Sequence, residues 1–388
     1  MRFADNRNKI GKYIPAVVFL IFIYGMALWF IFSPKPDYSS SEKRYLQKFP
    51  EVTAEKLLSG DFGSEFETFF ADRFPQRNTW VGLNAYTALA EGNNGASGVY
   101  NCKNGYLINK PVSTENNLDK NIGAVADFAK SIDTPTTVML VPSTGYIVDD
   151  VLPTFHDKYN DDEDISKISS TLSKDKIGFV DLRERFKSEY KNGSQLYYKT
   201  DHHWTTKGAY TGYQELCKAL GITPIDDSTL KKDSYPDFYG TTYSSSGFWL
   251  TPPDNIEIWN NPKNSDRNIS VIITEGANIK TSGSMYFTDH LKEDDKYPVF
   301  IDGNHALTEI TNTNAKNGTI LLIKDSFSHS LAPFLAENYS KVVLVDLRYY
   351  KESVSDLVTT YNPEQVVVLY GIDNLATDTD IVWLKKVL

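Results

Sequence analysis

The sequence predicts an α/β fold built on a largely parallel sheet flanked by helices, with one N-terminal transmembrane helix and a β-rich insertion. Three observations carry this. Short apolar runs without polar alternation, VMLV at 138–141, VVLV at 342–345 and VVVLY at 366–370, mark strands covered on both faces. Helical patterns separate these runs, the βαβ signature of a parallel sheet. Residues 13–32 carry no charge over a length that spans a hydrocarbon core as a helix.

The elements follow in order. Arg2, Arg7, Lys9 and Lys12 precede the apolar segment against Asp5 alone, so the positive-inside rule puts the amino terminus in the cytoplasm and everything after residue 33 outside the cell. The apolar stretch runs to ALWFIF with no small-residue cleavage site, which favours an uncleaved anchor, residues 1–33 with its basic flank. Residues 34–48, rich in Pro and Ser, read as a linker, and 49–388 as the extracellular domain. Within that domain 49–99 is helical, with Phe62, Phe66, Phe69 and Phe70 on an expected buried face. Helix 117–132, strand 136–141, helix 165–172 and strand 178–181 come next, and the acidic run 161–164 reads as a solvated loop. A helix after residue 205 puts Ala209, Tyr210, Tyr213, Leu216, Cys217 and Leu220 on one face. Residues 225–318, rich in Ser, Thr, Asn, Gly and Pro, break the alternation and read as an insertion of loops and small strands. Strands 319–323, 341–345 and 365–370 then resume it, with helices at 330–338 and 354–360.

With 388 residues, 41% of them hydrophobic, the composition is that of a globular protein. A net charge of −10 argues against nucleic acid or any polyanion held by bulk electrostatics. Cys102 and Cys217 leave two options open, one disulfide or two buried thiols.

The chemistry concentrates in YYKTDHHWTTKGAY, residues 197–210. Asp201 and His203 stand two apart, so in a loop the carboxylate can hold one ring nitrogen and free the other as a base. His202 and Trp204 flank them as pocket-shaping residues. A base needs a nucleophile. In an open parallel sheet the functional crevice lies beyond the carboxyl ends of the strands. Here those ends carry Ser143, Thr144, Asp181, Lys324, Asp325, Ser326, Arg348, Asp373 and Asn374. Ser326, between a buried strand and a helix in ILLIKDSFSHS, best fits an exposed hydroxyl on an elbow. Taken alone, a serine there is more often a helix cap, and an Asp-His-His run is also a metal-ligand pattern that His290, His305 or His329 would complete.

TDHHWT with a downstream KDSF resembles the DHHW protein family, itself similar to the SGNH-hydrolase-like domains of the alginate O-acetylation proteins. The likeness extends through FETFFADRFPQR, FYGTTYSSSGF, GNHALTEI, LLIKDSFSHSLAPFLA and VVLVDLRYY. It implies an SGNH-like sheet, a triad of Ser326, His203 and Asp201, and no cofactor or metal. In ordinary SGNH hydrolases the serine motif comes first in the chain; here the order is reversed, as in the alginate-type relatives, and Lys324 stands where those hydrolases have the glycine of GDS. Gly240, Asn304 and Arg348 are the oxyanion or substrate-contact candidates, Arg348 by analogy with a substrate-contacting arginine. The function implied is acyl, above all acetyl, ester transfer or hydrolysis on an exported or cell-surface polysaccharide. A membrane-bound O-acyltransferase is the expected acyl donor, since acetyl-CoA is not available outside the cell. The alternatives are a non-catalytic glycan-binding or assembly protein using Tyr239, Tyr243, Phe248 and Trp249, and a metal-dependent hydrolase built on Asp201, His202 and His203.

Overall fold

The computed structural model describes residues 2–112 and 117–385. The chain falls into two compact units, Met1–Tyr86 and Thr87–Leu388.

The first unit opens with the helix Arg2–Phe32, whose segment Tyr13–Phe32 has a mean hydropathy of 2.4 and is long and apolar enough to cross a membrane. The Pro- and Ser-rich stretch after it is not a free spacer. Tyr38–Ser39 pairs antiparallel with Arg44–Tyr45, and Arg44 grips both oxygens of Asp72 at 2.9 and 2.6 Å. Arg73 donates to the carbonyls of Lys35, Pro36 and Gln47. Composition reports local propensity only; the arginine fork that pins this segment comes from some 26 to 38 positions away. The helices Ala54–Ser59, Asp61–Asp72 and Arg77–Ala90 follow. The phenylalanine face of the second is not buried: Phe66 and Phe70 are 40% and 42% exposed, and the rings of Phe62, Phe66 and Phe69 gather edge-on around Phe49 at the surface.

The second unit is built on an eight-stranded sheet. Its strands are β1 (Thr136–Val141), β2 (Gly178–Asp181), β3 (Ile269–Glu275), β4 (Asn278–Ser282), β5 (Leu307–Asn312), β6 (Asn317–Lys324), β7 (Tyr339–Val345) and β8 (Gln365–Gly371). They run in the order β4-β3-β5-β7-β6-β8-β1-β2. From β7 to β2 every neighbouring pair is parallel, with registers such as Leu322↔Leu344 and Leu322↔Val367. Alternate residues feed two cores. Val138, Leu140, Leu321, Ile323, Val343 and Val366 pack on one face with the helices Leu118–Ser131, Asp161–Lys174 and Val354–Tyr361. Met139, Val141, Ile320, Leu322, Val342 and Val367 pack on the other with Thr206–Leu220 and Ser328–Leu335. Burial on both faces is why the sequence shows continuous apolar runs there.

The insertion departs from its expected form. Beside the hairpin Lys231–Phe238 and Asp254–Asn260, it supplies β3, β4 and β5, which extend the main sheet antiparallel beyond β7. The alternating burial of β5 is what sheet extension leaves in a sequence, but the run is short and lies among loop residues. The acidic run 161–164 is also not a loop: it forms the first turn of Asp161–Lys174, where carboxylates face unpaired N–H groups. Cys102 and Cys217 are both free and buried, and burial pushes each thiol up to about 12.

Candidate active site

The loop carrying Asp201 and His203 is a tight hairpin turned into a helix. Tyr197 bridges to Trp204, Tyr198 N–H donates to the His203 carbonyl at 3.2 Å, and Thr205 N–H donates to the Leu196 carbonyl at 2.8 Å. Thr205 then caps Thr206–Leu220 by accepting from Gly208 N–H. From the insertion, Asp254 accepts the N–H groups of Lys199 and Thr200 at 3.1 and 2.8 Å and so fixes the approach to Asp201. The loop is held from three sides before any reaction begins.

Ser326 stands two residues past β6, on the elbow into Ser328–Leu335. Asp325 anchors that elbow to the end of β8, accepting from Phe327 N–H at 2.9 Å, Gly371 N–H at 2.8 Å and the Asn374 amide at 2.7 Å. Behind the elbow the buried Trp204 indole donates to the Phe327 carbonyl at 3.0 Å and to Ser330 Oγ at 2.9 Å.

These two supports bring three groups together. His203 Nε2 lies 2.7 Å from Ser326 Oγ, and His203 Nδ1 lies 2.5 Å from Asp201 Oδ1. The His203 ring stacks on Tyr297, with centroids 4.0 Å apart and planes 11° apart, and meets Phe327 edge-on. Asp201 is fully enclosed and takes further bonds from His203 N–H at 2.8 Å and Thr241 N–H at 2.7 Å. Burial by itself would raise the Asp201 carboxyl, but His203, His202 and the Thr241 N–H outweigh it and hold it well below the usual carboxylate range. Ser326 keeps 8% of its surface open.

The chain belongs to the DHHW protein family. The family model matches residues 105–345, a span that holds all three of these side chains. A DHHW family protein of Eubacterium siraeum has the same fold at 17% identity, with a TM-score of 0.63 over 76% of this chain and 97% of that one. Bacillus cereus PatB1, in a structure with a sulfonyl adduct, is similar at 21% identity, with a TM-score of 0.61 over 73% of this chain and 97% of that one. No curated protein sequence matches the chain. The expected largely parallel sheet flanked by helices is the architecture found.

The remaining site candidates of this DHHW chain fall in other places. Gly240 packs directly on Asp201, where any Cβ would overlap the carboxylate, and its N–H donates to Thr200 Oγ1 at 3.2 Å. It permits a close approach rather than offering an oxyanion donor. Asn304 Oδ1 accepts from Arg348 at 2.8 Å, and Arg348 clasps Asp346 at 2.9 and 2.6 Å. Ser326 and Arg348 follow the neighbouring parallel strands β6 and β7 and so share the carboxyl edge of the sheet. His202 turns away from Ser326 to Thr241 Oγ1 at 2.8 Å, and desolvation pushes its imidazole down to about 4. Trp204 is a buried strut and does not line the cavity beside the elbow.

Sequence reasoning missed the amide of Ser326 itself. Within the elbow, the N–H groups of Asp325, Phe327, Ser328 and His329 all have acceptors, whereas that of Ser326 has none among the described residues. Asn374 beside it lines the adjoining cavity. The signal was present as a strand-turn-serine-helix pattern, but which N–H stays free depends on where the Asp325 side chain folds. Metal ligation is the weaker use of the DHH run. Asp201, His202 and His203 offer ligand atoms within 4.8 Å of one another, yet Asp201 and His203 are engaged with each other and with Ser326. His290, His305 and His329 hold partners elsewhere, at Asp302, Glu275 and Lys324.

Proposed function

We propose that the chain performs serine-dependent acyl-ester transfer or hydrolysis, with acetyl as the group carried and a cell-surface or exported polysaccharide as the acceptor. The single observation behind this is the hydrogen-bonded chain Asp201 to His203 to Ser326, 2.5 and 2.7 Å at its two links. Ser326 Oγ attacks the acyl carbon while its proton passes to His203 Nε2. Asp201 holds the tautomer and balances the imidazolium. As the tetrahedral intermediate collapses, the alkoxide leaves with the proton from His203, and the acyl group stays on Ser326. A glycan hydroxyl or water, deprotonated by His203, then takes the acyl group and restores the serine. The Ser326 N–H and the Asn374 amide are the donors assigned to the oxyanion.

The rings of Tyr239 and Tyr243 lie 4.4 Å apart and those of Tyr243 and Trp249 5.2 Å apart, in the segment whose Thr241 N–H donates to Asp201. Such aromatic faces suit a sugar polymer, and they are also the observation that favours the second reading, a non-catalytic glycan-binding protein. In the catalytic reading the Tyr13–Phe32 segment anchors the domain outside the cell, and a membrane-bound O-acyltransferase loads the acyl group. Hydrolysis of a fluorogenic acetyl ester by the full chain in detergent separates the two. Ser326→Ala should lower turnover by about 10³-fold or more, and Ser326→Ala/His203→Ala should be little worse than either single variant. Unchanged turnover in Ser326→Ala, or loss of activity on chelation, would remove the serine mechanism.

A further inference from the structure

Beside the elbow lies a cavity of about 60 Å³, and apart from Asn374 no step of that mechanism uses its wall. Phe327, His202, Asn374, Ser143, Asp373 and Thr242 are among the residues that line it. Ser143 Oγ is 3.1 Å from Asp161 Oδ2 and 3.1 Å from Asp373 Oδ1, while Ser143 N–H donates to Asp161 Oδ1 at 2.7 Å. The one hydroxyl hydrogen is all that Ser143 Oγ can offer to these two carboxylates, given to one of them or shared in a three-centre bond. Burial, and for Asp373 the charge of Asp161, push them up to about 6 and about 7, and neither is paired with a lysine or arginine among the described residues.

A second, independent observation points to a ligand. Thr242 lines the same cavity, is 2% exposed, and its hydroxyl has no hydrogen-bond partner among the described residues. A buried hydroxyl left unpaired costs stability unless something supplies its bond. The cavity thus presents Asp373, one of a carboxylate pair without a lysine or arginine partner among the described residues, and a hydroxyl that needs a bond.

We propose that this cavity is a subsite for a primary ammonium group, which Asp373 and the Thr242 hydroxyl oxygen accept. A neutral hydroxyl group would leave the negative charge of the carboxylate uncompensated, whereas an ammonium supplies both the charge and the donors. Placed against Phe327 and His202, the subsite serves a substrate of Ser326, and to that extent it rests on the acyl-transfer reading. The ammonium has two chemical sources, an aminoacyl group on its way to the glycan or an amino sugar within it.

Two arms on the full chain in detergent tell them apart. In the first, kcat/KM is compared for alanyl and propionyl esters of the same fluorogenic alcohol, which differ by the ammonium alone. In the second, calorimetry on Ser326→Ala compares a glucosamine trimer with its N-acetylated form. A preference of about tenfold or more for the ammonium ligand is expected in one arm, the size of one good charge-assisted contact. Asp373→Asn should cut that preference to less than about threefold, and Thr242→Val, nearly isosteric and without the unpaired hydroxyl, should cut it in the same direction. Parity in both arms, or a preference that survives both substitutions, overturns the subsite. If no ester is turned over, or turnover survives Ser326→Ala, it is the acyl-transfer reading that fails, and the trimer arm alone decides the subsite.

Discussion

Lys324 Nζ donates to Asp346 Oδ2 at 2.9 Å with both side chains out of water. The same ammonium donates to His329 Nε2 at 2.8 Å, and the same carboxylate holds Arg348, so a buried polar chain runs from the helix after Ser326 to the end of β7. Burial lowers the Lys324 ammonium despite the pull of Asp346. Breaking a buried pair from one side strands the other charge. Lys324→Met should therefore cost about 3 to 5 kcal/mol, visible as a lower denaturation midpoint, and Asp346→Leu added to it should cost less than the sum of the two single changes.

Gly240 bears on catalysis through contact with Asp201 alone. Residue 240 sits at φ −88, which alanine adopts freely, so Gly240→Ala should act by pushing Asp201, its Cα included, away from His203. Turnover of an acetyl ester should fall by about 10²-fold with little change in KM, since a 1 Å misplacement of a catalytic group has that effect. A Gly240→Ala enzyme with wild-type kcat would show that Asp201 does not need this position.

The Asp161 and Asp373 pair gives a pH signature. Both carboxyls are raised in the folded chain, to about 6 and about 7, so the folded state binds the proton more tightly than the unfolded one. The stability this contributes is full below the unfolded carboxyl value of about 4 and is lost as pH rises through the folded values. The melting temperature should therefore carry a downward component between pH 5 and pH 8. Asp373→Asn, neutral throughout, should flatten that component and gain relative to the wild type at pH 8. A variant whose profile runs parallel to the wild type would contradict this.

What the sequence disclosed and what it hid follow from the range of the interactions. Four of the five parallel strands, β1, β6, β7 and β8, were legible as continuous apolar runs buried on both faces, whereas β2, GFVD, is partly exposed; Ser326 and His203 sit in compact motifs at element ends. The role of β3 to β5 was not, because whether a short alternating run pairs within its own insertion or with β7 depends on a partner far along the chain. The acidic first turn at 161–164 was mistaken for a loop because net charge hides that Asp161 has a buried partner in Ser143. Gly240 was a candidate oxyanion donor, but its N–H is spent on Thr200 Oγ1 and its lack of a Cβ makes room for Asp201, while Asn304 is bound through its oxygen to Arg348. Each miss is a contact, backbone or side chain, between residues that are not neighbours in sequence.

The orientation of the anchor is tested on intact cells. The basic residues before the Tyr13–Phe32 segment, four against one acid, should keep the amino terminus inside. Added protease should then remove the chain beyond residue 33 and leave a small membrane-bound fragment. A fully protected chain, or a soluble chain that begins near residue 33, would contradict the anchored arrangement.

The account turns on Ser326 being a nucleophile raised by His203, and a sulfonyl fluoride tests this directly. The full chain should gain one sulfonyl group by intact mass, mapped to Ser326 by peptide sequencing, and His203→Ala should slow that labelling by about 10²-fold or more. Labelling elsewhere in the chain, or at Ser326 with a rate indifferent to His203, would contradict it.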